Sequence, residues 1–543
     1  MAAQDFASAR SAFEAMVASD PTPATLSGLA AACRALDDVP AAIKALEQAY
    51  RLQVDVRNGA AAAATACMLA DVVVTELGGS AVASGWLSRA RHHLRDHPDD
   101  PTLVMVNSME SYLALAYDKD PQRARELAEQ AHDLARRLGD VRAQILATAH
   151  LGLIEVSLGN LRIGMQQLDD ATAAAAAGEV PPADALDTYC ILITACERVR
   201  DFDRVDQWSQ RVLDEAARVG SDAFATFART QYANVAVWRG RWGEAERELD
   251  RVLVDAAGRP LTAAMAMVVR AQLRRRQGRL DEAAAELAPA EREPYRRAVR
   301  HLVMAARAAL ELDRGEVQAA ADLAERYLRA VAAADRIERV EVLEVLVRAR
   351  IALGDPDAAE AAVEELEATA AAIPTDGFRA AATAGRALVL RGRGELDGSA
   401  ALLDEVLALA EAAGLPHENI RARILLSEVL LDLGRIDAAR REAETARAEA
   451  DRLGAAGEVA AADRILAGLR GSPPPADTDL TAREVEILRH IAGGASNAEM
   501  ADRLFLSIRT VERHVSNIYL KIGATGPAAR TTAVAYGRRA GLV

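Results

Sequence analysis

The chain has 543 residues, with 65 Lys and Arg against 80 Asp and Glu, so its formal net charge is −15. This length exceeds that of a typical single domain and predicts either several domains or an extended repeat array. Aromatic residues make up only 4% of the chain, and few Val or Ile runs alternate with period two, which argues against a sheet-based fold. The longest apolar stretch, around residues 60–70, ends at Asp71, and no basic N-terminal region precedes an apolar one. We therefore expect no membrane span, no signal peptide and a cytoplasmic location.

Lysine and cysteine usage excludes several classes of site. The three lysines (Lys44, Lys119 and Lys521) all lack a preceding Gly, which a P-loop requires. The four cysteines are too few and too scattered for a disulfide scaffold. Cys190 and Cys196 are interpreted as buried small residues, with a redox or ligand role as the alternative. No zinc motif or nucleophile elbow is found, so the sequence predicts no catalytic residue, metal site or cofactor.

A turn signature recurs along the first 440 residues. It consists of a Gly or polar residue followed five positions later by a small residue that opens a helix, as in the segments GRLDEA and GDPDAA. The steps between successive turns are 37 to 41 residues, and the turns fall at positions 37, 78, 119, 159, 200, 240, 278, 315, 354, 394 and 434. Near-even spacing of this kind predicts a repeat architecture of about eleven helix pairs.

Each unit is predicted to contain two packed helices. An apolar stripe such as Leu426 and Leu430 precedes the turn, and a small-x₃-large-x₂-small pattern such as Ala42, Leu46 and Ala49 follows it. The small residue allows close approach of the second helix to the first, and the large residue fills the space between neighbouring pairs.

This pattern resembles the tetratricopeptide repeat over about residues 1–468. The step is nearer 40 than 34 residues, which resembles the helical-repeat regions of large bacterial transcription activators such as the maltose-regulon activator. Gly152 occupies the position of the repeat's close-approach Gly, and the opening DFASARSAF is similar to a lone second helix. The resemblance implies an extended right-handed α-superhelix in which each pair packs only on its neighbours. Its concave face is expected to bind a protein or peptide.

The composition changes near residue 469. Residues 469–479 contain three consecutive prolines and are predicted to be a linker. From Leu480 onward there are nine Lys and Arg against five Asp and Glu, a net charge of +4, which leaves −19 for the remainder. Such asymmetry is typical of a nucleic-acid-binding tail on an acidic body.

The segment 480–543 predicts a helix-turn-helix. Thr481 is expected to cap a helix that ends at Gly493, and Ser496 with Glu499 forms a capping box for a short second helix. Ser507 then begins a helix with Val511, Val515, Ile518 and Ile522 on one face, and with Glu512, Arg513, Ser516, Asn517 and Leu520 on the other. This last helix is free to enter a major groove.

The segment LTAREVEILRHIAGGASNAEMADRLFLSIRTVERHVSNIYLKIGA resembles the LuxR/FixJ-type DNA-binding domain, a four-helix fold. The match spans about residues 478–543. By this resemblance the base-reading residues are Glu512, Arg513 and Ser516, and the backbone-contacting residues are Arg509, Thr510 and Lys521. The helix from Pro527 to Arg539 resembles the family's dimerisation helix, with Val534 as a contact. Glu512 replaces a frequent Lys, and its carboxylate can accept from cytosine N4 but repels phosphate.

Together these features predict an all-α transcription regulator with three parts: a repeat superhelix (1–468), a linker (469–479) and a LuxR-type domain (480–543). The chain also resembles actinobacterial regulators of this layout through segments 85–94, 163–171 and 188–196, without an evident receiver or nucleotide-binding domain. The repeats are expected to sense a partner or ligand. A homodimer is expected to bind an inverted-repeat promoter site on the nucleoid. The alternative is a tetratricopeptide scaffold with a nonspecific DNA-binding tail; sequence preference distinguishes the two.

Overall fold

The computed structural model describes residues 2–36, 38–219, 222–256, 259–292, 299–471, 480–504, 506–522, 524, 526 and 529–539. Within these residues the regular structure is helical, with no strand. The first helices of the chain are α1 (Ala2–Ser19), α2 (Pro23–Ala35), α3 (Val39–Asp55), α4 (Gly59–Leu77), α5 (Ser80–Leu94), α6 (Thr102–Ala116), α7 (Pro121–Leu138), α8 (Val141–Ser157), α9 (Leu161–Ala176), α10 (Pro182–Arg198), α11 (Phe202–Val219) and α12 (Asp222–Trp238). The repeat array continues with α13 (Trp242–Asp255), α14 (Pro260–Arg276), α15 (Leu280–Ala290), α16 (Arg300–Asp313), α17 (Val317–Ala330), α18 (Arg336–Ala352), α19 (Pro356–Ala372), α20 (Asp376–Gly392), α21 (Leu396–Ala412), α22 (Pro416–Asp432), α23 (Ile436–Leu453) and α24 (Ala456–Gly471). The C-terminal helices are α25 (Ala482–Ala492), α26 (Asn497–Arg503), α27 (Ile508–Lys521) and α28 (Ala529–Arg539).

The predicted helix pairs are confirmed. Within the described residues, α2 to α23 form eleven antiparallel pairs whose members contact each other, and α1 precedes them as a single helix. α1 contacts α2, with the Phe13 ring against the Gly28 backbone. Among the described helices, α4 alone is long and apolar enough to cross a membrane by length and composition. It packs instead between α3 and α5 as a core helix of the array.

The turns within the pairs have the backbone conformation that the signature predicted. At every predicted turn from position 78 to position 434 the residue has a positive φ, between 55° and 91°. Lys119 (φ 55°) and Arg200 (φ 59°) adopt this left-handed conformation without being Gly, which is uncommon for a side chain of this size. The first predicted turn residue, Asp37, lies outside the described residues. The repeat period seen in the sequence therefore corresponds to left-handed turn residues in the structure.

The helices of a pair approach closely where the sequence has small residues. A Cβ atom added to Gly152 would lie 2.7 Å from Leu168 Cγ and 2.8 Å from the Gly164 carbonyl oxygen. The predicted core residues are also buried, with Leu168 and Leu249 both at 0% exposure. Close approach through glycine is therefore what lets α8 and α9 pack backbone against backbone.

The expectation that each pair packs only on its neighbours is wrong. Arg198, at the end of α10, donates to Asp335 and Glu338, which lie 137 and 140 residues further along at the start of α18. Arg276, at the end of α14, donates in the same way to Glu418 near the start of α22, over 2.7 Å. Cations at helix C-termini and carboxylates at helix N-termini complement the helix dipoles, and here they also pair with each other. Distant repeats are therefore joined by buried ion pairs that no local pattern reveals.

The chain folds as two compact units, Met1–Ala462 and Asp463–Val543. The boundary falls within α24. Most of the predicted linker, residues 472–479, lies outside the described residues.

Candidate nucleic-acid interface

In the C-terminal unit, α25 has a capping box at its N-terminus. The Thr481 side chain accepts from the Glu484 amide, and the Glu484 carboxylate accepts from the Thr481 amide over 2.7 Å. α25 ends at Ala492 with Gly493 as its C-cap, and Gly494 follows with a φ of +82°. These are the predicted ends of this helix, and the capping box fixes where α25 starts.

The second helix, α26, starts at the predicted capping box. Glu499 Oε2 accepts from the Ser496 amide over 2.7 Å, and Ser496 Oγ accepts from the Glu499 amide over 3.2 Å. Met500 and Ala501 are buried in the core of the unit. Phe505, in the connection to α27, lies outside the described residues. The short α26 is therefore held by its cap and by its apolar face, and it supports the start of the next helix.

α27 is amphipathic as predicted. Ser507 is its N-cap and accepts from the Thr510 amide over 3.1 Å. Val511, Val515 and Ile518 are buried, with exposures of 0%, 6% and 0%. The opposite face is solvent-exposed and carries the predicted base-reading residues Glu512, Arg513 and Ser516, together with Asn517 and Leu520. α27 thus exposes a polar face, while its opposite apolar face packs in the core of the unit.

The predicted backbone contacts flank this face at both ends of α27. Arg509 and Thr510 lie in its first turn, where Arg509 is exposed and the Thr510 hydroxyl lies 2.7 Å from Ser507 Oγ. The exposed amides of a helix N-terminus favour an anion. Within the described residues the side chains of Arg509 and Arg513 have no hydrogen bond or ion pair, so both guanidinium groups are available to a ligand.

Lys521, at the other end of α27, has a partner that the sequence did not reveal. Its Nζ donates to Glu484 Oε2 over 2.6 Å, and the Glu484 side chain is only 4% exposed. Burial opposes ionisation of Glu484, but the hydrogen bonds from Lys521 and Thr481 hold its pKa below the ordinary value. Lys521 therefore ties α27 to the capping box of α25. Arg483, in the first turn of α25, pairs with Glu486 and donates to the Leu504 carbonyl over 3.0 Å.

α28 covers the other side of the unit. Ala533 is buried, Val534 is half-buried against the core, and α28 contacts both α25 and α27. Arg530 donates to the Ala495 carbonyl. The predicted start of this helix, Pro527, lies outside the described residues. Val534 thus contributes part of its surface to the core of its own unit.

Two family models match the chain, one within the repeat array and the other at the C-terminal helices. The model described as the MalT-like TPR region matches residues 106–415, more than half of the chain. The model of bacterial regulatory proteins of the luxR family matches residues 478–534, which include α25, α26 and α27.

Curated relatives match short stretches of the chain. The chain is similar to the transcriptional regulatory protein LiaR of Bacillus subtilis, 40% identical over 88 residues, or 16% of this chain and 40% of that protein. It is also similar to the Fimbriae Z protein of Escherichia coli K12, 56% identical over 46 residues, or 8% of this chain and 22% of that protein. The chain thus spans less than half the length of these relatives.

Solved structures of other proteins match large parts of the chain. A Rap protein complexed with competence and sporulation factor has a TM-score of 0.49 and 14% identity, covering 64% of this chain and 98% of that one. The Cut9–Hcn1 hetero-tetramer has a TM-score of 0.37 and 12% identity, covering 85% and 94%. By the family match over more than half of its length, the chain belongs to the proteins with a MalT-like TPR region, and it ends in a luxR-family DNA-binding domain.

Proposed function

We propose that this protein is a sequence-specific transcription regulator, with a repeat array at 1–468, a linker at 469–479 and a DNA-reading domain at 480–543. The observation that carries the proposal is the exposed face of α27. Its Arg509 and Arg513 have no protein partner among the described residues, while the opposite face is buried. Two unpaired guanidinium groups on a firmly packed helix fit the role of a recognition helix.

Each residue of this face has a chemically suitable role. Arg513 donates to guanine O6 and N7, Glu512 accepts from cytosine N4, and Ser516 bonds either type of base edge. Arg509 and Thr510 bind the DNA backbone at the N-terminus of α27, where the helix dipole favours phosphate. Lys521 binds backbone at the far end of α27, and it shares its ammonium group between the phosphate and Glu484.

A homodimer on an inverted-repeat promoter site completes the proposal for DNA. Two-fold protein symmetry matches two-fold operator symmetry, and it doubles the number of base contacts. α28 provides the contact, through the exposed part of Val534 and the exposed Thr531 and Ala535 beside it. Such a regulator acts on the bacterial nucleoid in the cytoplasm.

The repeat array is proposed to receive the signal, as a protein or peptide on its concave face or as a ligand. Supporting this role, the array has a partly open cavity of about 1780 Å³, lined mainly by the first helices of the pairs. That volume exceeds the several hundred cubic ångströms typical of a small-molecule site.

Genome-wide footprinting of the full chain tests this function. Binding confined to a few promoters that share an inverted repeat is the expected result. Footprints spread over the genome without a common sequence would instead favour the scaffold with a nonspecific DNA-binding tail. In that case the net charge of +4 on residues 480–543 would alone attract DNA. A Val534→Glu variant that still footprints as a dimer would contradict the assigned contact.

A further inference from the structure

The cavity of the repeat array exposes apolar surface inside the protein. Met105 on α6 is 51% exposed and Leu302 on α16 is 40% exposed, and both line the cavity. Large apolar side chains that line a partly open cavity form a surface that an apolar ligand can cover.

Two carboxyl groups that line this cavity, those of Asp187 and Glu341, have neither a hydrogen bond nor an ion pair among the described residues, but Glu341 lies near Arg200, Arg275 and Arg276. Asp187 lies on the cavity-lining face of α10.

The acidic neighbours of Asp187 are paired: Arg34 Nη1 lies 2.6 Å from Asp71 Oδ2, and Arg142 binds Asp184 through two nitrogens. Arg34 also pairs with Glu76 over 3.1 Å, so Arg34 and Arg142 face four carboxylates, and the cluster has an excess of negative charge when Asp187 is ionised.

The surroundings of Asp187 oppose its ionisation when the cavity holds no cation. The Asp187 side chain is exposed to the cavity, yet desolvation by the surrounding protein, together with Asp71 and Asp184, raises the pKa of Asp187 to about 7, against the lowering effect of Arg34 and Arg142. A positive charge placed beside Asp187 would lower that pKa and regain electrostatic energy, whereas an anion would add repulsion.

Apolar side chains of α10 and α6 line the cavity near the same acidic cluster. Ile191 lies one turn from Asp187 on the same face of α10, and both line the cavity. Tyr112 lies near Asp71, with Met109 one turn away on α6, and both also line the cavity. A tyrosine ring and a methionine suit an apolar or aromatic body that carries a positive charge.

We propose that the cavity binds an organic cation, with its protonated amino group on Asp187 and its apolar body against Tyr112, Met109 and Ile191. This assignment rests on the proposed role of the array as the part that receives the signal. The expected ligand is an amine attached to an apolar group. The amine belongs either to a small molecule or to the N-terminus of a short peptide. A metal ion is a poorer candidate, because no described group of three or more His, Cys, Asp or Glu side chains is arranged to hold one.

Calorimetric titration of the full chain tests the site with three probes of similar size: 2-phenylethylamine, neutral 2-phenylethanol and anionic 3-phenylpropionate. We expect the amine alone to bind measurably. Asp187→Asn should weaken amine binding by roughly tenfold or more, while Asp187→Glu should retain part of it. Asp170→Asn, an exposed carboxyl on α9 outside the cavity, is the matched control and should bind like the parent.

The pH dependence gives a second readout. The amine stays protonated between pH 8 and pH 6, whereas Asp187 takes up a proton over this range, so binding should weaken as the pH falls. Asp187→Asn should remove this dependence.

Phenylalanyl-phenylalaninamide and its N-acetylated form distinguish the two sources of the amine, because only a peptide site would prefer the free dipeptide over 2-phenylethylamine.

Equal binding of amine and alcohol, or amine binding unchanged in a folded Asp187→Asn, would overturn the assignment. Footprinting with and without amine separates it from the proposed function. If the chain binds its promoters but binds no amine, the proposed amine site is wrong and the proposed function still stands. Amine binding at Asp187 with unchanged promoter occupancy supports the site and contradicts its role as the signal.

Discussion

Arg198 Nη2 and Asp335 Oδ1 lie 2.9 Å apart, although 137 residues separate them in the sequence. The Asp335 side chain is fully buried and that of Arg198 is 16% exposed. The same guanidinium lies 3.1 Å from Glu338, and burial would raise the pKa of Glu338, but Lys119 and Arg198 lower it to about 2. This small ionic network joins α10 to α18 across the array.

Removing the cation from this network should destabilise the array strongly. Arg198→Ala leaves Asp335 and Glu338 buried with less compensating charge, which is expected to cost about 3–5 kcal/mol in the free energy of unfolding. Arg136→Ala is the control, since Arg136 and Asp133 form a pair with exposures of 68% and 55%, and such pairs contribute about 0–1 kcal/mol. Equal denaturant midpoints for the two variants would show that the distant contact is not a stabilising one.

The close approach of α8 and α9 is tested by adding one methyl group. Gly152→Ala places a Cβ at 2.7 Å from Leu168 Cγ and 2.8 Å from the Gly164 carbonyl, so we expect a loss of about 1–3 kcal/mol from overpacking. Gly85→Ala on α5 meets nothing within 4 Å. It should be neutral or stabilising by about 0.5–1 kcal/mol, because Ala favours a helix over Gly. Thermal unfolding of the two variants measures the contrast.

Two turn glycines separate backbone strain from contacts between distant repeats. Both Gly240 (φ +73°) and Gly315 (φ +84°) are left-handed, so Val at either position should cost on the order of 1 kcal/mol or more. Only at Gly240 would the new side chain also meet Pro416 Cγ at 2.7 Å and Leu453 Cδ1 at 2.8 Å. Gly240→Val should therefore be the more damaging variant by calorimetry. A larger loss from Gly315→Val would be evidence against the contact with the distant repeat.

Lys521→Ala tests a residue with two assigned roles. It leaves the Glu484 carboxylate buried without its cation, and we expect the C-terminal unit to lose about 1–3 kcal/mol. The pKa of Glu484 is lowered in the folded chain, so its stabilisation is present above its ordinary pKa and is lost as the pH falls through the lowered value. Lys521→Ala should reduce this acid dependence, and Lys521→Arg should keep it.

If Lys521 also binds phosphate, the salt dependence of DNA binding will show it. At a temperature where the Lys521→Ala variant is folded, the slope of log affinity against log salt should fall by about one counterion, on specific and scrambled duplexes alike. An unchanged slope would restrict Lys521 to its structural role with Glu484.

Arg513→Ala tests base reading. The guanidinium has no protein partner among the described residues, so its removal should leave folding intact. We expect a loss of about 1–3 kcal/mol on a specific duplex and relaxed preference at one base pair, with little change on a scrambled duplex. Arg441→Ala, an exposed arginine on α23, changes the net charge equally and serves as the control. Equal losses on both duplexes would refute the base-reading role while leaving DNA binding in place.

The sequence by itself determined the features that depend on neighbours along the chain. The turn period appears again as left-handed residues such as Lys119 and Gly240, and the capping residues Thr481, Ser496 and Ser507 begin the helices they were expected to begin. Such signals are local, because a cap, a turn or an amphipathic face is set by residues within about one or two helical turns.

The tertiary structure alone decided which distant side chains meet. The pairing of Arg198 with Asp335, of Arg276 with Glu418 and of Lys521 with Glu484 leaves no trace in any local pattern. The same holds for Asp187, which one sequence cannot distinguish from the other carboxylates of the array. An arginine at a helix C-terminus and a glutamate at a helix N-terminus are each explained locally by the helix dipole. Their meeting depends on how a small rotation at every repeat accumulates over three or four pairs.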